Sequence, residues 1–144
     1  MANVFEMAEA LPRMHHVAIA VSAERHDETK RFFGDLGFTF ADFELPDVGL
    51  HVALDWERGI ELLTPTADAA GRESAVAKFL ARHGDGLYSA VLRVHDAAAA
   101  HEVARRHGST TLFAQHREVG EFSLDEIELD VRGIPVTVLS TDLP

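Results

Sequence analysis

Hydrophobic and polar residues alternate with a period of two along most of this chain, and a few stretches depart from it with helical spacing. The stretch MHHVAIAV, residues 14–21, predicts a strand. Residues 24–36 carry apolar side chains on one side and stop at Gly37, so they predict a helix. Turn residues then separate three predicted strands, at residues 38–44, 49–56 and 59–64.

The second half of the chain repeats this order of elements. Residues 87–94 predict a strand, and the Ala-rich residues 97–107 predict a helix that stops at Gly108. Arg132-Gly133 predicts a tight turn between the last two strands. The three strands of this half are expected at residues 110–114, 122–131 and 134–140.

The repeated order predicts an α+β fold of two βαβββ modules with antiparallel sheets, which either stay open with both faces wet or curl into a cup around a small-molecule cavity. The modules are expected at residues 14–66 and 87–142 of a single structural domain. Residues 67–86 form the connection between them, with a short helix at residues 74–83, and residues 1–13 form an N-terminal extension.

Composition narrows the classes of partner. The 144 residues, 47% of them hydrophobic, suffice for one ordinary core. The chain has no cysteine, which excludes disulfides and thiolate metal sites and suits a cytoplasmic protein. A formal charge of −11 without a Lys/Arg cluster argues against nucleic acid and membrane partners. No apolar run approaches the ~20 residues that span a bilayer, and the first residues lack a basic secretory leader.

Strand alternation predicts which side chains line the cup. His16 lies opposite an apolar row in the first strand, beside the small side chains of Ala18 and Ala20. His51 and Glu61 likewise lie opposite apolar residues in the third and fourth strands. We therefore expect His16, His51 and Glu61 to share the face that helices do not cover. The apolar rows opposite them are Val17-Ile19-Val21, Leu50-Val52-Leu54-Trp56 and Ile60-Leu62.

Four segments carry a resemblance to a known family. They are MHHVAIAV, LPDVGLHVALDWERGIELLTP, SAVAKFLARHGDGLYSAVLRV and GIPVTVLST, which together cover most of residues 14–142. The chain resembles the vicinal oxygen chelate superfamily, which includes glyoxalase I, methylmalonyl-CoA epimerase and the bleomycin-resistance proteins. Within that superfamily the likeness is greatest to the epimerase branch. The resemblance implies the two-module cup fold and, since such chains often pair, a homodimer.

The resemblance also implies a metal position in the cup, held by one residue from the first and one from the last strand of each module. The first two positions fall on His16 and Glu61, which are good ligands. The other two fall on Ser89 and Thr137, whose hydroxyls are poor neutral donors. The expected cofactor is therefore either one divalent metal or none.

The catalytic pattern of the epimerase branch is also altered. One of its two basic carboxylates falls on His51, and the other falls on Thr137. His51 would be a single base, since an unperturbed imidazole titrates near neutral pH. Glu128 is expected opposite Thr137 across the last hairpin and could supply a carboxylate. Ser89 and Thr137 would donate hydrogen bonds to substrate, and Arg93 would meet an anionic group.

Two classes of function follow. The first is an isomerase, epimerase or lyase that moves a proton next to a carbonyl, with Glu61, His51 and Glu128 as catalytic residues. The second is a metal-free protein that binds and sequesters a drug, as the bleomycin-resistance proteins do, and the negative charge suits a cationic ligand. An extradiol dioxygenase ranks third, because two of the four matching ligand positions lack a metal ligand. In each case the partner is a small molecule.

Overall fold

A computed structural model describes residues 10–144, and they divide into two compact units. The first unit covers residues 16–89, and the second covers residues 90–144 together with residues 10–15. The first unit contains most of β1 (Arg13–Ala20), α1 (His26–Asp35), β2 (Ala41–Leu45), β3 (Leu50–Asp55), β4 (Ile60–Pro65), α2 (Ala69–Arg72) and α3 (Ala75–His83). The second contains half of β5 (Gly86–Arg93), then α4 (Ala100–Arg106), β6 (Thr110–Val119), β7 (Phe122–Val131) and β8 (Ile134–Thr141).

The first unit orders its strands β2-β3-β4-β1. Strands β2, β3 and β4 pair in antiparallel fashion, whereas β1 runs parallel to β4 with Ala18 opposite Glu61. Helix α1 follows a 3₁₀ turn at Ala23–Arg25 and packs its Phe33 over one face of the sheet. The buried residues beneath it are Val21, Ala53 and Leu62, flanked by Ile19, Phe40 and Ile60.

The second unit has the same design, with strand order β5-β8-β7-β6 and β5 parallel to β8. Its last hairpin closes through Arg132 and Gly133, both at positive φ (56° and 88°), as a two-residue turn requires. A 3₁₀ turn at Ala97–Ala99 precedes α4. The helix side of this sheet is an apolar cluster of Ala97, Ala104, Ile127, Leu129 and Val138. The predicted α+β class and the βαβββ order of both halves are confirmed.

The boundaries differ from the sequence prediction in several places. The extension expected over residues 1–13 lies largely outside the described residues, and Arg13 already belongs to β1. Strand β2 begins only at Ala41, and β6 runs five residues beyond Ala114, because its pairing with β7 continues to Val119. The connection at residues 67–86 contains α2 ahead of the helix expected at residues 74–83, and the N-cap of α2, Asp68, accepts from the Gly71 amide at 2.9 Å.

Hydrogen bonds and close backbone contacts join the connection between the two halves to the rest of the first unit. The Asp85 carboxylate, just after α3, accepts hydrogen bonds from the Ser22 amide at 3.2 Å and from Arg25 Nε at 3.0 Å. At the other end, a Cβ on Gly71 would lie 1.8 Å from the Thr66 carbonyl oxygen. A Cβ on Gly49, which has φ +69°, would lie 2.3 Å from the Ala70 backbone. Only glycine permits backbones to approach so closely.

No helix among residues 10–144 has both the length and the hydropathy that a bilayer span requires.

Candidate functional site

A buried imidazole and a carboxylate meet on one face of the first unit. His16 Nε2 lies 3.4 Å from Glu61 Oε1, with side chains 2% and 18% exposed. The parallel register produces this contact, because Ala18 pairs with Glu61 and His16 lies two residues earlier on the same face. The Trp56 ring lies near His16, with ring centroids 6.4 Å apart. A buried imidazole and a part-buried carboxylate at this distance are suited to holding and transferring a proton.

This face is the one that turns away from α1. Ile19 and Ile60 pack toward the helix, so their neighbours His16 and Glu61 point to the opposite side. Ala18 and Ala20, both buried, share the face with His16. Their small side chains leave more room than branched ones would.

His51 does not join this pair, and the prediction that it shares their face is wrong. Across β3 and β4, His51 pairs with Thr64, whereas Glu61 pairs with Leu54. Because 51 and 54 differ by an odd number, His51 and Glu61 point to opposite faces. The His51 ring instead makes an edge contact with His26 of α1, with centroids 4.9 Å apart. The pattern of apolar residues could not show this, because β3 buries Val52 on one face and Ala53 on the other.

The other predicted site residues lie on β5, β7 and β8. Ser89 and Thr137 are buried, and Glu128 pairs with Thr137 as predicted from the hairpin. Arg93 uses Nη2 to donate to the carbonyls of Thr141 at 3.0 Å and Leu143 at 2.8 Å. These bonds hold residues 141 and 143 in place, and they leave the Arg93 guanidinium with fewer donors for a substrate anion.

The structure also assembles a cluster that sequence reasoning missed, made of His26, Asp42 and His51. One ligand atom from each lies within 4.8 Å of the others. His51 Nε2 lies 3.4 Å from Asp42 Oδ1, and the other Asp42 oxygen pairs with Lys30. The three residues come from α1, β2 and β3, so no spacing motif in the sequence indicates their proximity.

Burial and neighbouring charges shift the pKa values of His26 and Asp42 in this cluster. Burial lowers the pKa of His26, and the neighbouring His51 lowers it further, so His26 is a neutral imidazole at pH 7. Burial by itself would raise the pKa of Asp42, but the hydrogen bonds and charges of Lys30 and His51 outweigh that effect and lower it. The result is a neutral imidazole beside an ionised carboxylate.

Comparison with known proteins gives the class of this chain. A family model described as the Glyoxalase/Bleomycin resistance protein/Dioxygenase superfamily matches residues 15–123, well over half of the sequence. The chain therefore belongs to that superfamily, as its α+β fold of two βαβββ modules also indicates. No curated protein matches the chain in sequence.

Solved structures share the fold at low sequence identity. A hypothetical protein from Bacillus halodurans C-125 has a TM-score of 0.74 and 20% identity, over 94% of this chain and 98% of that one. Methylmalonyl-CoA epimerase from Mycobacterium tuberculosis has a TM-score of 0.69 and 23% identity, over 97% and 92%. A Streptomyces coelicolor methylmalonyl-CoA epimerase, solved with 2-nitronate-propionyl-CoA, has a TM-score of 0.71 and 22% identity, over 93% and 100%.

The family's metal position does not fit the residues that occupy it here. Of the four positions that the resemblance implies, His16 and Glu61 supply two strong donors, and Ser89 and Thr137 supply hydroxyls. Catalytic divalent sites generally use about three strong protein ligands. His16 and Glu61 are therefore too few strong ligands for a catalytic divalent metal at these positions.

Proposed function

We propose that this chain is an enzyme that transfers a proton at a carbon next to a carbonyl group of a small molecule. Glu61 is the base, and His16 orients its carboxylate and shares its proton. One observation supports this above all others: a buried imidazole lies 3.4 Å from a carboxylate that is only 18% exposed, on a face with two alanines. In that environment the pair is shielded from bulk water, which strengthens their interaction.

The proposed reaction needs only one base. Glu61 takes the proton as the C–H bond breaks, and the electron pair moves toward the carbonyl to form an enolate. In an α-hydroxy carbonyl compound, the hydroxyl proton passes to the enolate oxygen, and return of the carbon-bound proton to the former carbonyl carbon completes an isomerisation. In a compound with a β-leaving group, the enolate re-forms the carbonyl as that group departs with its electron pair, which completes an elimination. A single base suits these outcomes better than epimerisation, which needs a proton donor on each side of the carbon.

Other residues enter the proposal through the family resemblance. Ser89 and Thr137 would donate hydrogen bonds to the enolate oxygen, Glu128 would supply a further carboxylate opposite Thr137, and Arg93 would meet an anionic group. A fixed hydrogen-bond donor of this kind contributes about 3–4 kcal/mol to the transition state. These roles rest on position alone and are secondary to the pair of His16 and Glu61.

Acyl thioesters are the first substrates to test, because one neighbour was solved with 2-nitronate-propionyl-CoA. The charge of −11 disfavours an anion as large as CoA, so neutral and cationic carbonyl compounds belong in the same panel. Proton NMR in D₂O follows the loss of each α-proton signal. We expect exchange with at least one compound, slowed about 10²–10⁴-fold by Glu61→Gln.

The matched control is Glu57→Gln, the same change in an exposed turn residue, which should leave the exchange rate unchanged. Exchange that persists in Glu61→Gln would show that another residue is the base. Absence of exchange across the panel, together with tight binding of a cationic aromatic drug such as bleomycin, would instead indicate sequestration.

A further inference from the structure

We propose that His26, Asp42 and His51 form a metal site for one first-row divalent ion, on the helix side of the first unit. This site is separate from the pair of His16 and Glu61, which points to the opposite face of the same sheet. It does not depend on the proton-transfer function proposed above. Two imidazoles and one carboxylate are the ligand set of many three-ligand metal centres.

The distances in the cluster are close to those a metal requires. Two ligands about 2.1 Å from a tetrahedral ion lie roughly 3.4 Å apart. Asp42 Oδ1 and His51 Nε2 already have that separation, at 3.4 Å. The His26 ligand atom lies within 4.8 Å of both, so closing the site needs only a small movement of the ring.

Neighbouring groups lie beside the second nitrogen of each imidazole, and the one beside His26 forms a hydrogen bond. The Thr64 hydroxyl contacts His26 Nδ1 at 2.9 Å, which leaves Nε2 for a ligand. A Glu44 carboxylate oxygen lies 3.8 Å from His51 Nδ1, which leaves Nε2 on the side of Asp42. A hydrogen bond like that between His26 and Thr64 fixes the tautomer and the ring orientation, and the loss of such a bond typically weakens metal binding about 10- to 100-fold.

An ion can reach this cluster from solvent. His26 is buried, but the side chains of Asp42 and His51 are 35% and 32% exposed. The buried histidine therefore anchors the site, and the two accessible ligands complete it. Three protein ligands leave at least one position for water.

Lys30 competes with the ion for Asp42. Its ammonium pairs with Oδ2, on the other side of the carboxylate from the oxygen that faces His51. A bound cation would therefore lie near a fixed positive charge, and removing that charge should tighten binding. The nitrogen-rich ligand set favours Zn²⁺, Co²⁺ or Ni²⁺ over Mg²⁺ and Ca²⁺.

The test uses the full chain after treatment with a chelator, titrated with Zn²⁺ by calorimetry and with Co²⁺ by visible absorption. We expect one ion per chain, with binding weakened at least about 100-fold by His51→Ala and by Asp42→Asn. Both residues are part-exposed, so these variants should fold. The control is His107→Ala, an exposed histidine outside the cluster, which should bind as the wild type does.

Two further variants sharpen the result. Lys30→Met should raise the affinity about 3- to 10-fold, because it removes a like charge next to the ion. His16→Asn should leave the affinity unchanged. The proposal is overturned if the wild type binds no ion below about 1 mM, or if His16→Asn abolishes binding and His51→Ala does not. Neither result bears on deuterium exchange, which Glu61→Gln tests separately.

Discussion

The two halves of the molecule differ most in the layer between helix and sheet. The second unit fills this layer with apolar side chains, among them Ala104, Ile127 and Val138. The first unit also has an apolar core there, but it adds polar groups: His26 hydrogen-bonded to Thr64, and Asp55 bonded to two backbone amides. Both layers support the same βαβββ order.

This difference distinguishes the apolar packing that the fold requires from the buried polar groups that it only accommodates. The second unit shows that an apolar layer suffices to hold a helix on such a sheet. Buried polar groups cost free energy unless they are well paired, so the first unit gains little stability from its histidines. Groups that the fold does not require are reasonable candidates for binding, which is why the cluster of His26, Asp42 and His51 carries our second proposal.

The largest expected effect concerns the apolar layer of the second unit. Ile127→Ala should lower the free energy of unfolding by about 2–5 kcal/mol, because Ile127 is 4% exposed and its loss leaves a cavity. Urea denaturation followed by circular dichroism measures the change. Ile134→Ala, at a residue 60% exposed, should cost less than about 0.5 kcal/mol. Equal effects of the two variants would contradict the assignment of this layer as the core.

The next effect concerns Asp55, a buried carboxylate of the first unit that accepts from the amides of Thr39 at 2.8 Å and Arg58 at 3.0 Å. Asp55→Ala should cost about 2–3 kcal/mol at pH 7, since two amides lose their acceptor. Asp35→Asn, at an exposed position, should cost less than about 0.5 kcal/mol.

The penalty of Asp55→Ala should depend on pH. Burial by itself would raise the pKa of Asp55, but the amide hydrogen bonds and Arg58 hold it below the ordinary 3.8. The folded state therefore favours the ionised form, and its stabilisation is present above pH 3.8 and lost as the pH falls through the folded pKa. Urea denaturation at pH 7 and at lower pH measures how far the difference in free energy of unfolding between the wild type and Asp55→Ala decreases. A penalty that grows on acidification would contradict this account.

A smaller effect is expected when the polar layer of the first unit is made apolar like that of the second. Thr64→Val should cost about 1 kcal/mol, because it removes the hydrogen-bond partner of His26. Adding His26→Leu should restore most of that loss, since no buried polar group is then left without a partner. The control, Thr111→Val, removes an exposed contact with His101 and should change little. Additive losses in the double variant would show that the polar layer is needed for stability.

The smallest expected effect is that of Arg132→Asn in the last hairpin of the second unit, where Arg132 has a φ of 56°. Arg132→Asn should raise the free energy of unfolding by about 0.5 kcal/mol, because asparagine accepts this conformation more readily. Arg132→Val should lower the same quantity by about 1 kcal/mol or more, because a β-branched residue is strained there. Thermal unfolding compares the two. The same sign for both variants would contradict the turn geometry.

Much of the fold could be predicted from the sequence because its signals are local. Gly37 and Gly108 stop helices, and Arg132-Gly133 marks a two-residue turn that also fixes Glu128 opposite Thr137. The extension of β6 to Val119 was missed, because it depends on pairing with β7 rather than on its own residues. The helix α2 was missed because its small residues carry little periodicity.

The site was less predictable, because alternation gives two faces without saying which one a helix covers. For β1 and β4 the branched apolar row identified the helix side correctly, and His16 and Glu61 meet on the other side. For β3 both rows are buried, so the same rule placed His51 on the wrong face. The cluster with His26 and Asp42 depends on contacts between three elements, which no single-segment pattern contains.

The crowded backbones at Gly49 and Gly71 have a consequence for any survey of variants. If every position were randomised and the chains were sorted for solubility, these two sites should retain glycine alone, because of their crowding against Ala70 and Thr66 and not because of any proposed chemistry. The loss of variants at a position in such a survey therefore does not identify a catalytic or binding residue in this protein. Variants of Asp42 and His51, whose side chains are partly exposed, should pass a solubility screen, and the proposed metal site predicts that they differ from the wild type only when an ion is supplied.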